Sequence, residues 1–451
     1  MGSVPRRLIT FAIPFLISNI IQSLYNVADM VIVGNMSGGV ATAAMSGVNI
    51  GRQVTFLLTN LTIGLCAGAT VLIGQYVGSN DQDGLKKVTS TILTMLLLFG
   101  AVLTVIMYAL INPILTLIRT PAESYGQTRD YLSVTLAGII FIFGYNALGA
   151  IMRGMGDSKH PLWFVTIACV TNVILDIILV AVFKMAAFGA ALATVVSQGL
   201  SMALCIIYMR KHNFQFDFKP RSFRINAEQL RLILRIGLPT SLNNGIVSMS
   251  FLFLTSIINT LGVVASAAVG AVGKFNSFAF MPTAAISGAV AAMAAQNIGA
   301  NRLDRAVHTA KIGTYMSMAI TYAFFAFVML KPEWVVSLFN RDSDIIEAGK
   351  VYIRAFSYDL LLIPILFNLN NFLLAGGHSM FTMLTGLVSS VLLRVPICYL
   401  LAVTLDMGLR GVGFGAPAAS LGSLIIVIIY LSTGKWKHNV AKGRRQMLYE
   451  G

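Results

Sequence analysis

The stretch Ile92–Ile111 reads ILTMLLLFGAVLTVIMYALI, twenty residues without a charge. A helix rises 1.5 Å per residue, so about 20 apolar residues cross a ~30 Å hydrocarbon core. A membrane-spanning strand would be about ten residues long and would alternate apolar with polar side chains. This run does not alternate, which excludes a β-barrel. Comparable runs recur along the 451-residue chain and give twelve candidate spans, near 8–33, 46–74, 88–112, 130–152, 161–183, 187–209, 237–262, 268–296, 309–330, 352–375, 382–404 and 412–432. Composition agrees: with 57% hydrophobic and 11% charged residues and a mean hydropathy of +0.80, a soluble domain would expose more apolar surface than water tolerates. The chain is expected to be an all-α polytopic membrane protein.

The net charge of +15 raises the question of nucleic acid, and its distribution answers it. Of the 32 Lys and Arg, 21 fall in the segments on one side of the spans and eight on the other; Arg52, Lys274 and Arg394 lie within spans. By the positive-inside rule this places both termini in the cytoplasm, with the spans in a prokaryotic cytoplasmic membrane. The basic charge is an orientation signal, and no nucleic-acid partner is expected. Cys66, Cys169, Cys205 and Cys398 stand singly in apolar helices, with neither metal-ligand nor disulfide spacing. The first apolar run is too long for a cleavable signal peptide and leads into further spans.

Residues 210–236 form the longest polar segment and separate two halves of six spans each. Landmarks recur across it at offsets of 219 to 226: Pro14 with Pro239, Gly51-Arg52 with Gly273-Lys274, Pro113 with Pro332, Asn146 with Asn368, Phe188-Gly189-Ala190 with Phe414-Gly415-Ala416. The expected domains are an amino-terminal bundle at 1–209, a basic linker at 210–236, a second bundle at 237–432 and a basic tail at 433–451. An even number of spans per half gives both copies the same orientation, an arrangement typical of transporters. The loops are short and the five His are scattered, so an enzyme is not expected.

Almost every acid lies between spans; Asp29 and Asp176 do not. A carboxylate within a span is costly, so it faces the protein interior or a wet cavity and usually handles an ion. Asp29 follows Pro14 in the first span, where the missing N–H kinks the helix. Asn172 and Asp176 are one turn apart on one face of the fifth. Low dielectric disfavours a bare carboxylate charge and a second nearby acid disfavours it further, so such a pair takes either a proton or a bare cation. The second half carries Arg394 where the first has Asn172. Two roles stay open for Arg394: neutralising helix carbonyls, or meeting an anionic substrate or an acid in one conformation. Arg52 and Lys274 read as residues snorkelling to the interface.

The Pro14 to Asp29 spacing, the Asn172-x-x-x-Asp176 pair, the Gly74-Gln75-x-x-Gly78 turn after the second span and the six-plus-six repeat resemble the multidrug and toxic compound extrusion (MATE) transporters. The resemblance implies a V of two six-helix bundles exporting small organic molecules against inward H+ or Na+, with no cofactor besides the coupling ion. It also implies a first-half cluster of Asp29, Tyr131, Asn146, Asn172, Asp176 and Thr194, with Pro14 as the kink. Na+ ligands would come from Asp29, Asn172, Asp176 and Thr194. Members similar to the NorM type carry acids in spans 7 and 10; here Ser241–Ser250 has none, and Asp359, near the start of span 10, reads as an interface residue. The chain is therefore closer to the DinF-like or Gram-positive multidrug branch, and a monomer is expected. The alternative is a lipid-linked oligosaccharide or lipid-precursor flippase, which should line its cavity with more basic residues than Arg52, Lys274 and Arg394.

Overall fold

The computed structural model describes residues 3–35, 40–212, 214 and 216–438. The first half contributes α1 (Val4–Gly34), α2 (Val40–Gly78), α3 (Gln82–Leu117), α4 (Ala122–Ala137), α5 (Ile139–Gly154), α6 (Lys159–Asp176) and α7 (Ala186–Lys211). The second contributes α8 (Ala227–Thr260), α9 (Val263–Gly299), α10 (Leu303–Leu330), the short α11 (Pro332–Ser337), α12 (Ser343–Phe356), α13 (Asp359–Ala375), α14 (Ser379–Leu387), α15 (Val395–Tyr399) and α16 (Gly408–Ser432). Ten helical stretches are long and apolar enough to cross a membrane, and two bent pairs, α4 with α5 and α12 with α13, raise the number of spans among the described residues to twelve. Large apolar side chains such as Val105, Leu252 and Ile429 stand exposed, as a surface facing lipid requires.

The bends restate the repeat. The first pair bends by 50° and the second by 47°. The first break is at Gly138, against Val195 of α7; the second is at Ser357-Tyr358, at the same repeat offset. Each half also packs alike, with α2 against α4 and α5, and α9 against α12 and α13.

The chain forms two compact units, residues 17–234 and residues up to Leu16 together with those from Arg235 onward. One division falls inside α1, two residues past Pro14, whose missing N–H deprives the Thr10 carbonyl of its helical partner. Residues 210–234 belong to the first unit: the Ser90 hydroxyl contacts the Ser222 and Arg224 carbonyls at 2.6 and 2.7 Å, and Thr91 Oγ1 accepts the Asn226 N–H at 3.1 Å.

Two local expectations are corrected. Gly74–Gly78 is the last turn of α2 and not a turn after it; the chain reverses at Asn80, which has φ +56. The fifth and eleventh spans are also not uniform α-helices. Immediately after Asp176 the helix widens to π geometry over Ile177–Val182, and its counterpart does so over Val388–Arg394 and Leu400–Thr404. Pro396 cannot donate to the Leu392 carbonyl, which loosens the α-helical ladder there.

Candidate coupling site

Four helices of the unit 17–234 build the site. Near one end of α1 stands Asp29, 1% exposed. Helix α2 brings Arg52, α4 brings Tyr131, and α6 brings Asn172 and Asp176 on its last turn. Glycines on α2 make this approach feasible: a Cβ on Gly47 would meet the Gln127 Cβ at 2.7 Å, and one on Gly51 would run into the Tyr131 ring, 3.1 Å from its Cγ. The close contact of α2 and α4 sets Arg52, next to Gly51, beside the Tyr131 hydroxyl.

Arg52 Nη2 donates to Asp29 Oδ2 in a salt bridge, and Nη1 donates to the Asn26 carbonyl at 3.3 Å. The interface role expected for Arg52 is therefore wrong. Its guanidinium is committed to α1 and does not reach outward as a snorkelling side chain would. Its repeat partner Lys274 is exposed.

The carboxyls of Asp29 and Asp176 lie within hydrogen-bonding reach of each other. Among the described residues no protein donor reaches Asp29 Oδ1 or either oxygen of Asp176, and both amide atoms of Asn172 lack a partner. Buried acceptors without donors are costly. Two carboxylates with one guanidinium leave one negative charge uncompensated, so one proton or one monovalent cation completes the site. An apolar cluster of Val33, Ala44, Val48, Val180 and Ala190 packs around Tyr131, and a groove of about 540 Å³ lined by Asn26, Met30, Gly34, Met45 and Arg52 runs between α1 and α2. Two further expected residues make their hydrogen bonds locally. Asn146 donates to the Ile142 carbonyl at 2.8 Å and Thr194 to the Ala190 carbonyl at 3.0 Å, each within its own helix.

The unit containing residues 235–438 holds its own buried acid. Asp359, 1% exposed, opens α13 at the break and is not an interface residue. It faces Arg394 and Ser420, and the Arg394 guanidinium lies 5.2 Å from the Phe251 ring centre. Asp359 Oδ1 and Arg394 Nε lack hydrogen-bond partners among the described residues.

A family model, MatE, matches residues 14–178 and again residues 239–400, once in each half. The chain belongs to the MATE family. Its likeness to the probable multidrug resistance protein YoeA of Bacillus subtilis (strain 168) is 32% identity over 435 residues, 95% of this chain and 93% of that one. The probable multidrug resistance protein YpnP of the same organism is 27% identical, covering 97% and 96%; both relatives accord with the Gram-positive multidrug branch of the MATE family. Among solved structures, a MATE protein in the bent conformation superposes with a TM-score of 0.89 at 23% identity, covering 96% of each chain. An outward-facing multidrug resistance MATE transporter of the MOP superfamily gives 0.88 at 23%, again over 96% of each. These superpositions establish the fold, all-helical among the described residues; the family match and the relatives make the chain a multi-pass membrane transporter.

Proposed function

We propose that this chain is a multidrug exporter of the bacterial plasma membrane, with both termini cytoplasmic, that moves amphipathic, cationic organic molecules outward by antiport with H+ or Na+. The observation that carries the reading is the charge count of the coupling site: two buried carboxyls, one guanidinium and one charge left over. A site in this state has one affinity for a monovalent cation and another once its helices rearrange. Coupling requires that difference, because an ion bound equally in both states shifts nothing. The Bacillus relatives are probable multidrug resistance proteins, which supports drug export, and 27 Phe and 21 Met supply apolar, adaptable surface for varied organic cations.

The reading is tested by efflux from proteoliposomes under an imposed pH or Na+ gradient, comparing the parent with Asp29→Asn and Asp176→Asn. Gradient-driven efflux should fall at least about tenfold in each variant. Substrate binding without a gradient should persist. The gradient that drives the parent names the ion, and undiminished driven efflux in both variants would end the proposal.

A further inference from the structure

Residues 216–226 fold against the start of α3 and flank a cavity that the transport reading does not use. Ser90 and Thr91 of α3 clamp the backbone at residues 222–226; beyond the contacts described above, Ser90 Oγ accepts the Arg224 N–H at 2.9 Å. Phe216 packs edge-on against Phe218 and Phe223, with ring centres 4.9 and 5.3 Å away. Between this folded linker and the start of α3 lies a cavity of about 830 Å³.

Its lining is lopsided in charge. Lys86, Lys87, Arg210 and Arg224 line it, against one carboxylate, Asp217. That carboxylate is already engaged by the Ser222 hydroxyl, the Lys219 N–H and the Lys219 ammonium. Lys87 pairs with Asp83, and Arg210 is held by the Phe218 carbonyl at 3.2 Å. Among the described residues no carboxylate pairs with Lys86, Arg210 or Arg224. A concave wall of one sign focuses the field and concentrates counter-ions. Ile225 and Phe214 add an apolar flank. The cavity lies where α3 begins and α7 ends, at the polar limit of two spans, which is the level of lipid headgroups.

We infer that this cavity binds a phosphate-bearing anion, supplied by an anionic phospholipid headgroup or as free phosphate. Arg and Lys together suit it: guanidinium forks pair with phosphate oxygens two at a time, and ammonium groups serve as point charges. Binding there would pin the linker to α3.

The test is native mass spectrometry of the purified full chain with phosphatidylglycerol or phosphatidylcholine added. The parent should retain phosphatidylglycerol over phosphatidylcholine by about tenfold or more. Lys86→Gln with Arg224→Gln should bring the two lipids to parity, whereas Arg119→Gln with Arg129→Gln, in the same unit but outside the cavity, should not. In a second arm, inorganic phosphate is added to the lipid-loaded parent. Displacement at low millimolar phosphate identifies the free anion as the ligand, and no displacement identifies the lipid. Should the paired variant fail to fold, raising NaCl tenfold on the parent gives the same reading, because selective retention must then fall. Equal retention of the two lipids with no binding of phosphate, equal losses in the control pair, or retention indifferent to salt would each overturn the inference.

Discussion

Arg52 of α2 is bonded to Asp29 of α1, and its second Nη reaches the Asn26 carbonyl one turn earlier on the same helix. One guanidinium thus holds both a carboxylate and a backbone carbonyl of the helix that carries Pro14. Removing it leaves two buried acids facing each other without a counter-charge.

For this reason Arg52→Gln is expected to lower stability by about 3 kcal/mol, the usual cost of stripping one partner from a buried pair. Adding Asp29→Asn should restore most of that loss without restoring driven efflux. Thermal unfolding in detergent and liposome efflux read the two effects separately. A lone Arg52→Gln change that leaves the unfolding temperature unmoved would contradict the pairing.

Gly51 and Gly273 hold equivalent places in the two halves, yet only Gly51 is crowded: a Cβ there strikes the Tyr131 ring, and one on Gly273 meets nothing within 4 Å. Gly51→Ala should therefore destabilise by about 1–3 kcal/mol through overpacking, while Gly273→Ala should be nearly silent. Paired melting curves decide it, and equal shifts would refute the asymmetry.

In the unit beyond residue 235, Asp359 and Arg394 face each other. Arg394→Gln alone leaves the buried Asp359 carboxylate without its nearby positive charge, and Asp359→Asn leaves the half-buried Arg394 without a nearby negative one. The double variant should be more stable than the sum of the single effects predicts, by about 1 kcal/mol or more. A double-mutant cycle that sums to zero would separate the two residues.

Asp217, in the linker, is held below the usual carboxylate value of 3.8, chiefly by the Ser222 hydroxyl and then by the Lys219 N–H. A carboxyl depressed by folding lends stability in its ionised form. That contribution is complete above the ordinary value and disappears as pH falls through the depressed one. A nitroxide placed at Ile225 should accordingly gain mobility as pH is lowered below the ordinary value of 3.8. In Asp217→Asn its mobility should no longer change with pH over that range. Constant mobility in the parent across that range would refute the role.

The sequence alone makes the twelve spans, the duplication and both first-half acids legible, because each leaves a local mark: an uncharged run, a recurring landmark, a carboxylate where none belongs. What it hides is partnership between helices. Arg52 looks like a residue near a helix end because nothing in the sequence shows that its partner, Asp29, lies on the neighbouring helix. Asp359 is hidden for the opposite reason: α12 and α13 meet at a bend, and an acid that seems to border the membrane is buried in the joint. The π turns after Asp176 and up to Arg394 have no composition signature, since they depend on which carbonyl each N–H selects.

The surplus negative charge between Asp29, Asp176 and Arg52 also has an electrical meaning. On the proposed cycle the site is neutral when loaded and carries one elementary charge when empty, so voltage acts on the empty form. A unit charge crossing the whole field feels about 2.3 kcal/mol per 100 mV. The membrane potential would then bias the unladen return, and Arg52 would set how strongly the transporter feels it by halving the charge the two acids would otherwise carry.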